Sequence, residues 1–176
     1  NRMINEHNIN DYTNYTNQLF NKILKLYVQY PFFDDLQKIV GDIQKKVGSK
    51  SKISEFNAVA TQALSDFLGL KIKFYMSSDL KISSEIKKSD LLIEICQKLG
   101  YDKYINLAGG KDLYDTNAFK TKGIDIFFSD NSILTDNFSE DLIYTSILDL
   151  IALKGRVWIT EQLNNRKNQF LGRSYE

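Results

Sequence analysis

The apolar positions of this chain follow a helical period at first and then change to a strand period. Tyr12, Tyr15, Leu19, Phe20, Ile23, Leu24 and Tyr27 recur at three- and four-residue steps, which makes one apolar stripe on a helix. That stripe ends at Tyr30-Pro31, because the residue before a proline avoids helical angles. Phe32 and Phe33 begin a second stripe with Leu36, Ile39, Val40, Ile43 and Val47, closed by Gly48. A third helix opens at Ser54 as N-cap, carries Phe56, Val59, Ala60, Ala63, Leu64, Phe67 and Leu68, and stops at Gly69. Tyr27, Tyr30, Phe32 and Phe33 sit at helical spacing and read as core aromatics.

At Lys71 the period changes. Lys71-Ile72-Lys73-Phe74-Tyr75-Met76 alternates polar and apolar as a strand does, and a helix follows with Leu91, Leu92, Ile95, Cys96 and Leu99 on one face. Tyr104–Leu107 and Ile124–Phe128 read as two more strands, separated by a short helical piece around Asp115–Lys122. Strand, helix, strand, helix, strand with short connections predicts an α/β fold: a small parallel sheet (βαβαβ) with an N-terminal helical layer and C-terminal helices. The N-terminal helices occupy 1–48 and the α/β domain 49–176, the two forming one compact unit. Beyond the sheet come a polar loop, Ser129–Asn137, a helix from Ser139 carrying Leu142, Ile143, Ile147, Leu150 and Ile151, and a final helical segment from Val157.

The candidate chemistry gathers on Tyr104–Tyr114. A strand running through Asn106 into Gly109-Gly110 and then Lys111 offers bare backbone N–H groups and a mobile positive charge to an anion. The same Gly-Gly is also the mark of an ordinary tight turn, and no full phosphate-loop fingerprint is present. In parallel sheets ligands bind outside the carboxyl ends of the strands. Ser77-Ser78-Asp79 follows the first strand as Asn106–Lys111 follows the second, so both are expected on one edge. Asp79, Asp112 and Asp115 fall near that edge, and each is equally an N-cap or turn residue. Asn57, in the first turn of the third helix, has the same two readings, a ligand contact or a local cap.

Composition narrows the classes. With 176 residues and a formal net charge of +1, the chain lacks the basic surface of a nucleic-acid binder and any polybasic membrane patch. A lone cysteine, Cys96, cannot form an internal disulfide, which favours a reducing, cytoplasmic setting; its place on an apolar stripe makes it core. No apolar run reaches the roughly 20 residues of a transmembrane segment. The single histidine, His7, leaves a Ser-His-Asp or Cys-His arrangement and a His/Cys zinc cluster without their parts. No residue pattern names a cofactor.

Several stretches, taken in order, resemble the WbqC-like family: Pro31-Phe32-Phe33, Phe56-Asn57, Ser77-Ser78-Asp79-Leu80, Cys96-Gln97-Lys98-Leu99-Gly100, Tyr104-Ile105-Asn106, Gly109-Gly110, Leu113-Tyr114, Phe119, Gly123-Ile124 and Ser146-Ile147-Leu148-Asp149. The resemblance runs from about Leu19 to Ile151. It implies a place in bacterial O-antigen or other surface-polysaccharide biosynthesis more firmly than it implies a reaction. The family's N-terminal section, rich in proline and aromatics, has only Asn1–Ile4 as a counterpart. A longer gene product, and an apolar patch left bare on the helices before Gly48, are therefore expected. The proline and glutamine usual before the Ser146 helix are missing from Ser129–Asp141.

The leading expectation is an enzyme acting on a nucleotide-linked sugar, by group transfer to an amino sugar. Asp79, Lys111 and Asp112 are its catalytic candidates. Asn57, Ser77, Ser78, Asn106, Gly109, Gly110 and Tyr114 are its substrate-binding candidates. The alternative is a non-catalytic binding or assembly module of the same pathway, which the scarcity of histidine favours.

Overall fold

The computed structural model describes residues 8–9, 11–47, 52–129 and 145–171. Outside them lie His7, the Asn1–Ile4 opening, most of the Gly48–Lys52 linker, the loop expected after Ser129 and the start of the helix expected at Ser139. By its contacts the chain divides into two compact units, one within Asn1–Phe74 and Tyr144–Gly172, the other within Tyr75–Ile143.

The first unit is helical. It is built from α1 (Tyr12–Tyr27), α2 (Phe33–Val47), α3 (Ile53–Phe67) and α6 (Ile147–Leu171). From Leu36 on, the stripe read from the sequence is the buried face of α2: Leu36, Ile39, Val40, Ile43 and Val47 all lie in the core, with Phe20, Ala63, Phe67, Ile151, Ala152 and Ile159 around them, whereas Tyr30 and Phe32, read as core aromatics, are 37% and 42% exposed. Ser54 does not cap α3. The helix starts two residues earlier than that cap implies, at Ile53, and Lys52 holds the cap position without a side-chain bond. Leu26 and Val28, at the end of α1, stand exposed.

One cluster of contacts ties the α1–α2 turn to α6. Ser146 and Asp149 form a capping box: Ser146 Oγ accepts from the Leu148 N–H at 3.2 Å, and Asp149 Oδ2 accepts from the Ser146 N–H at 2.8 Å. The other Asp149 oxygen accepts from the Tyr27 hydroxyl at 2.6 Å. That hydrogen bond, with burial and the carboxylate charge behind it, pushes the Tyr27 phenol up to about 12. Further along, α6 breaks at Gly155, where φ 75° and ψ 167° lie in a region only glycine enters readily. The Phe32 ring fills the space a side chain would need, since a Cβ on Gly155 would stand 2.5 Å from Phe32 Cδ1. Asp35 Oδ2 accepts from the Arg156 N–H at 2.8 Å, so a carboxylate of α2 caps the helix as it restarts.

The second unit contains α4 (Lys88–Leu99), β1 (Lys103–Leu107), α5 (Thr116–Thr121) and β2 (Asp125–Ser129). Two short 3₁₀ segments, Ser77–Leu80 and Ala108–Leu113, join them. β1 and β2 pair in parallel with Tyr104 opposite Ile126, as the spacing predicts. The side chains of Ile93, Cys96, Phe119 and Ile124 form the core, with Tyr104, Tyr114 and Ile126 against it. Burial pushes the Cys96 thiol up, as befits a core position. On the opposite face of β1, Ile105 is 69% and Leu107 64% exposed.

The expected βαβαβ arrangement is thus shown only in its second half. Among the described residues the sheet has two strands, and Lys71–Met76 belongs to neither. That stretch has the alternation of a strand, but alternation becomes a strand only with a ladder partner and a buried face. Ile72, Phe74 and Tyr75 are all exposed, and the passage from one unit to the other falls between Phe74 and Tyr75.

Two outcomes follow from the helical unit. Gly155→Ala combines backbone strain with a clash and should cost about 2–4 kcal/mol, lowering the melting temperature by roughly 5–10 °C. Adding Phe32→Ala should recover only the clash, which thermal melts of the single and double variants will separate. The second outcome concerns pH. Because the folded Tyr27 pKa lies above the ordinary 10.0, its contribution to stability is complete below pH 10 and is lost as pH rises from 10 towards 12. Urea midpoints measured across that window should fall more steeply for wild type than for Tyr27→Phe.

Candidate functional site

Five residues of β1 carry the chain to the Ala108–Leu113 segment, and three of the sequence-predicted site residues meet there. Asn106 Oδ1 accepts from the N–H of Leu107 at 2.8 Å, which fixes the side chain over the start of the 3₁₀ turn. A Cβ on Gly110 would stand 2.9 Å from Asn106 Nδ2 and 3.2 Å from Tyr114 Cε2, so glycine here permits the close approach of both side chains. Tyr114 is held in turn by rings: its centroid lies 6.3 Å from Tyr104, 6.3 Å from Phe119 and 6.4 Å from Phe128. Burial, followed by the charge and hydrogen bond of Tyr114, pushes the Tyr104 phenol up. Asn106, Gly110 and Tyr114 are therefore a packed support.

What this support presents to solvent is Gly109, Lys111 and Asp112, all exposed. Gly109 has nothing within 4 Å of where a Cβ would be, and neither glycine has a positive φ. The Gly-Gly is thus the interior of a 3₁₀ helix, not a tight turn that opens an α-helix. The helix that does follow, α5, has its N-terminus satisfied already: Asp115 Oδ1 accepts from the N–H groups of Asn117 at 2.9 Å and Ala118 at 3.3 Å. Asp115 is the capping residue that one of its two sequence readings makes it.

The other candidates stand elsewhere. Ser77, Ser78 and Asp79 belong to the exposed Ser77–Leu80 turn, in which Ser78 Oγ donates to Asp79 Oδ1 at 3.3 Å. Lys98, in the last turn of α4, donates to the carbonyls of Leu80 at 2.9 Å and Lys81 at 3.3 Å. Since α4 leads through Gly100 into the start of β1, this turn is anchored towards the amino end of that strand. Gly109–Asp112 follows its carboxyl end. The shared edge presumed a strand at 72–76, and the sheet of the described residues contains no such strand. Asn57 is exposed on α3, in the helical unit.

A groove of about 430 Å³ went unnoticed in the sequence. Thr116, Asn117 and Lys120 of α5 line it with Ile124, Asp125, Ile126 and Phe127. Polar residues on a short helix read as a solvated face, so only the apposed strand reveals the concavity. Among the described residues no group of three or more His, Cys, Asp or Glu is placed to hold a metal ion. Nor is any helix among them long and apolar enough to cross a membrane.

The two glycines give a direct check. Gly110→Ala should force Asn106 and Tyr114 aside and lower the melting temperature by a few degrees, roughly 1–2 kcal/mol, whereas Gly109→Ala should be close to neutral. Equal losses for both would show that the support described above is misassigned.

No curated protein and no solved structure matches the chain. A family match does, and it spans most of the length. The ordered residues from Pro31-Phe32-Phe33 at the Gly155 break to Asn106, Gly110 and Tyr114 at the end of β1 now have structural places consistent with it. Over residues 1–160 the chain matches, and belongs to, the WbqC-like protein family, which suggests a role in polysaccharide-related biosynthesis.

Proposed function

We propose that this protein is an enzyme acting on a nucleotide-linked sugar in bacterial surface-polysaccharide biosynthesis, by group transfer to an amino sugar. The observation that carries the reading is the Gly109-Gly110-Lys111-Asp112 run, exposed at Gly109, Lys111 and Asp112 and held at the carboxyl end of a parallel strand by the packing of Gly110 against Asn106 and Tyr114. Ligands of parallel sheets bind at that end. In this reading the backbone N–H groups of Gly109 and Gly110 and the Lys111 ammonium hold the diphosphate. The acceptor amine bonds to the carbon of the transferred acyl group, the donor's carrier leaves with the electron pair of the bond it gives up, and the Asp112 carboxylate, next in the chain, takes the amine's proton.

A second reading has its own support. Lys111 and Asp112 stand in solvent, without the burial by which active sites adjust acids and bases. A binding or assembly module of the same pathway needs the anion contact and no such adjustment.

Isothermal titration with uridine- and thymidine-diphosphate sugars tests both. Wild type should bind at least one of them. Lys111→Ala removes one charge-assisted contact, worth about 1.5–3 kcal/mol, and should weaken binding roughly ten- to a hundredfold. Lys111→Arg should restore part of the loss, because charge dominates an ammonium–phosphate contact. Equal affinity of wild type and the alanine variant overturns the cradle. Binding without turnover in the presence of acyl donors and amino-sugar acceptors favours the module.

A further inference from the structure

We propose that the groove between α5 and β2 is a binding site for a neutral sugar ring. It goes beyond the phosphate cradle and does not rest on it. The groove's volume of about 430 Å³ lies in the range of small-molecule clefts, roughly 300–1,000 Å³. Its lining offers one hydroxyl from Thr116, one carboxamide from Asn117, one ammonium from Lys120 and one carboxylate from Asp125. None of these four side chains makes a hydrogen bond or ion pair within the described residues. The neighbouring Asp115, in contrast, is fully engaged as the cap of α5, so the helix end makes no demand on Thr116 or Asn117.

That set of groups selects the ligand by chemistry. A carboxylate only accepts hydrogen bonds and an ammonium only donates them, while a hydroxyl and a carboxamide do both. A phosphate or carboxylate ligand would meet the Asp125 charge, and a cationic one would meet Lys120. An apolar ligand would strip water from four polar groups without replacing it. Sugar hydroxyls donate and accept at once, and adjacent hydroxyls match the two oxygens of one carboxylate. Ile126 and Phe127, both half-buried, supply the apolar surface that the C–H face of a sugar ring needs.

The groove is also held in shape before any ligand arrives. The Ile124 N–H donates to the Phe119 carbonyl at 3.0 Å, and the Asp125 N–H donates to Asp102 at 2.8 Å. The Phe119 and Ile124 side chains are both buried, which fixes helix and strand against each other. A preformed site loses little affinity to ordering.

The test is ligand-observed NMR and titration of the full chain with neutral methyl glycosides of hexoses and N-acetylhexosamines. Wild type should bind at least one glycoside in the millimolar range or tighter. Asp125→Asn and Lys120→Ala should each weaken it roughly tenfold, and Lys154→Ala, in the helical unit, should leave it unchanged. Thr116→Ala, on the exposed face of α5, provides a third variant should Asp125→Asn melt early. The site is overturned if no glycoside binds up to about 50 mM. It is equally overturned if the groove variants bind as wild type does, or if hexose phosphates bind more tightly than the glycosides through Lys120. Neutral glycosides carry no phosphate, so this outcome and that of the Lys111 titration are independent.

Discussion

The α/β unit depends on the ring of Phe119. Two parallel strands cannot bury enough of themselves to persist, and parallel pairing is normally found with its faces covered. Here one residue of a six-residue helix, joined by Ile93 and Cys96 of α4, supplies the cover. Phe119 is wholly buried, stacks on Tyr104 of β1 at 5.6 Å and meets Tyr114 edge-on. Its carbonyl accepts from both Lys122 and Ile124, which turns the chain out of α5 and into β2. Side chain and backbone of the same residue thus join helix, first strand and second strand. The proposed phosphate cradle hangs on Tyr114 at one side of this ring. The groove is bounded by α5, the helix that carries this ring, and β2.

The helical unit relies on a different device, a broken helix clamped from outside. The break at Gly155 exposes backbone groups that a continuous helix would satisfy. The α1–α2 turn and the first turn of α2 replace them: Phe32 N–H donates to the Ala152 carbonyl at 3.0 Å, and Asp35 caps the restart at Arg156. Phe32, Asp35 and Gly155 are therefore one structural feature distributed over more than a hundred residues. The Pro31-Phe32-Phe33 resemblance noted in the sequence has a folding explanation and needs no ligand.

This separates what was legible from what was not. Periods of three and four residues placed α1, α2 and α3, because each buries one stripe and the stripe is a local property. The pairing of Tyr104–Leu107 with Ile124–Phe128 was legible from the short helix between them, which forces a parallel crossover. Lys71–Met76 misled because its alternation is also local, while the partner a strand requires is not. The candidate site divided in the same way. Asn106, Gly110 and Tyr114 sit close in sequence and meet in space. Ser77–Asp79 was tied to them only through the strand that is absent. The groove was invisible because Thr116, Asn117, Lys120 and Asp125 become a set only when α5 lies against β2.

The two adjacent glycines show where folding stops being a sufficient explanation. Gly110 is accounted for by its neighbours, since Asn106 Nδ2 and Tyr114 occupy the room a side chain would take. Gly109 is not. Its φ is ordinary and the space around its Cα is open, so the fold would accept alanine there. A bare backbone that packing does not require, standing beside an exposed Lys111 at the end of a parallel strand, suits the close approach of a ligand to an N–H group. Gly110 sets the support in place, and Gly109 is the position at which the proposed ligand would reach it.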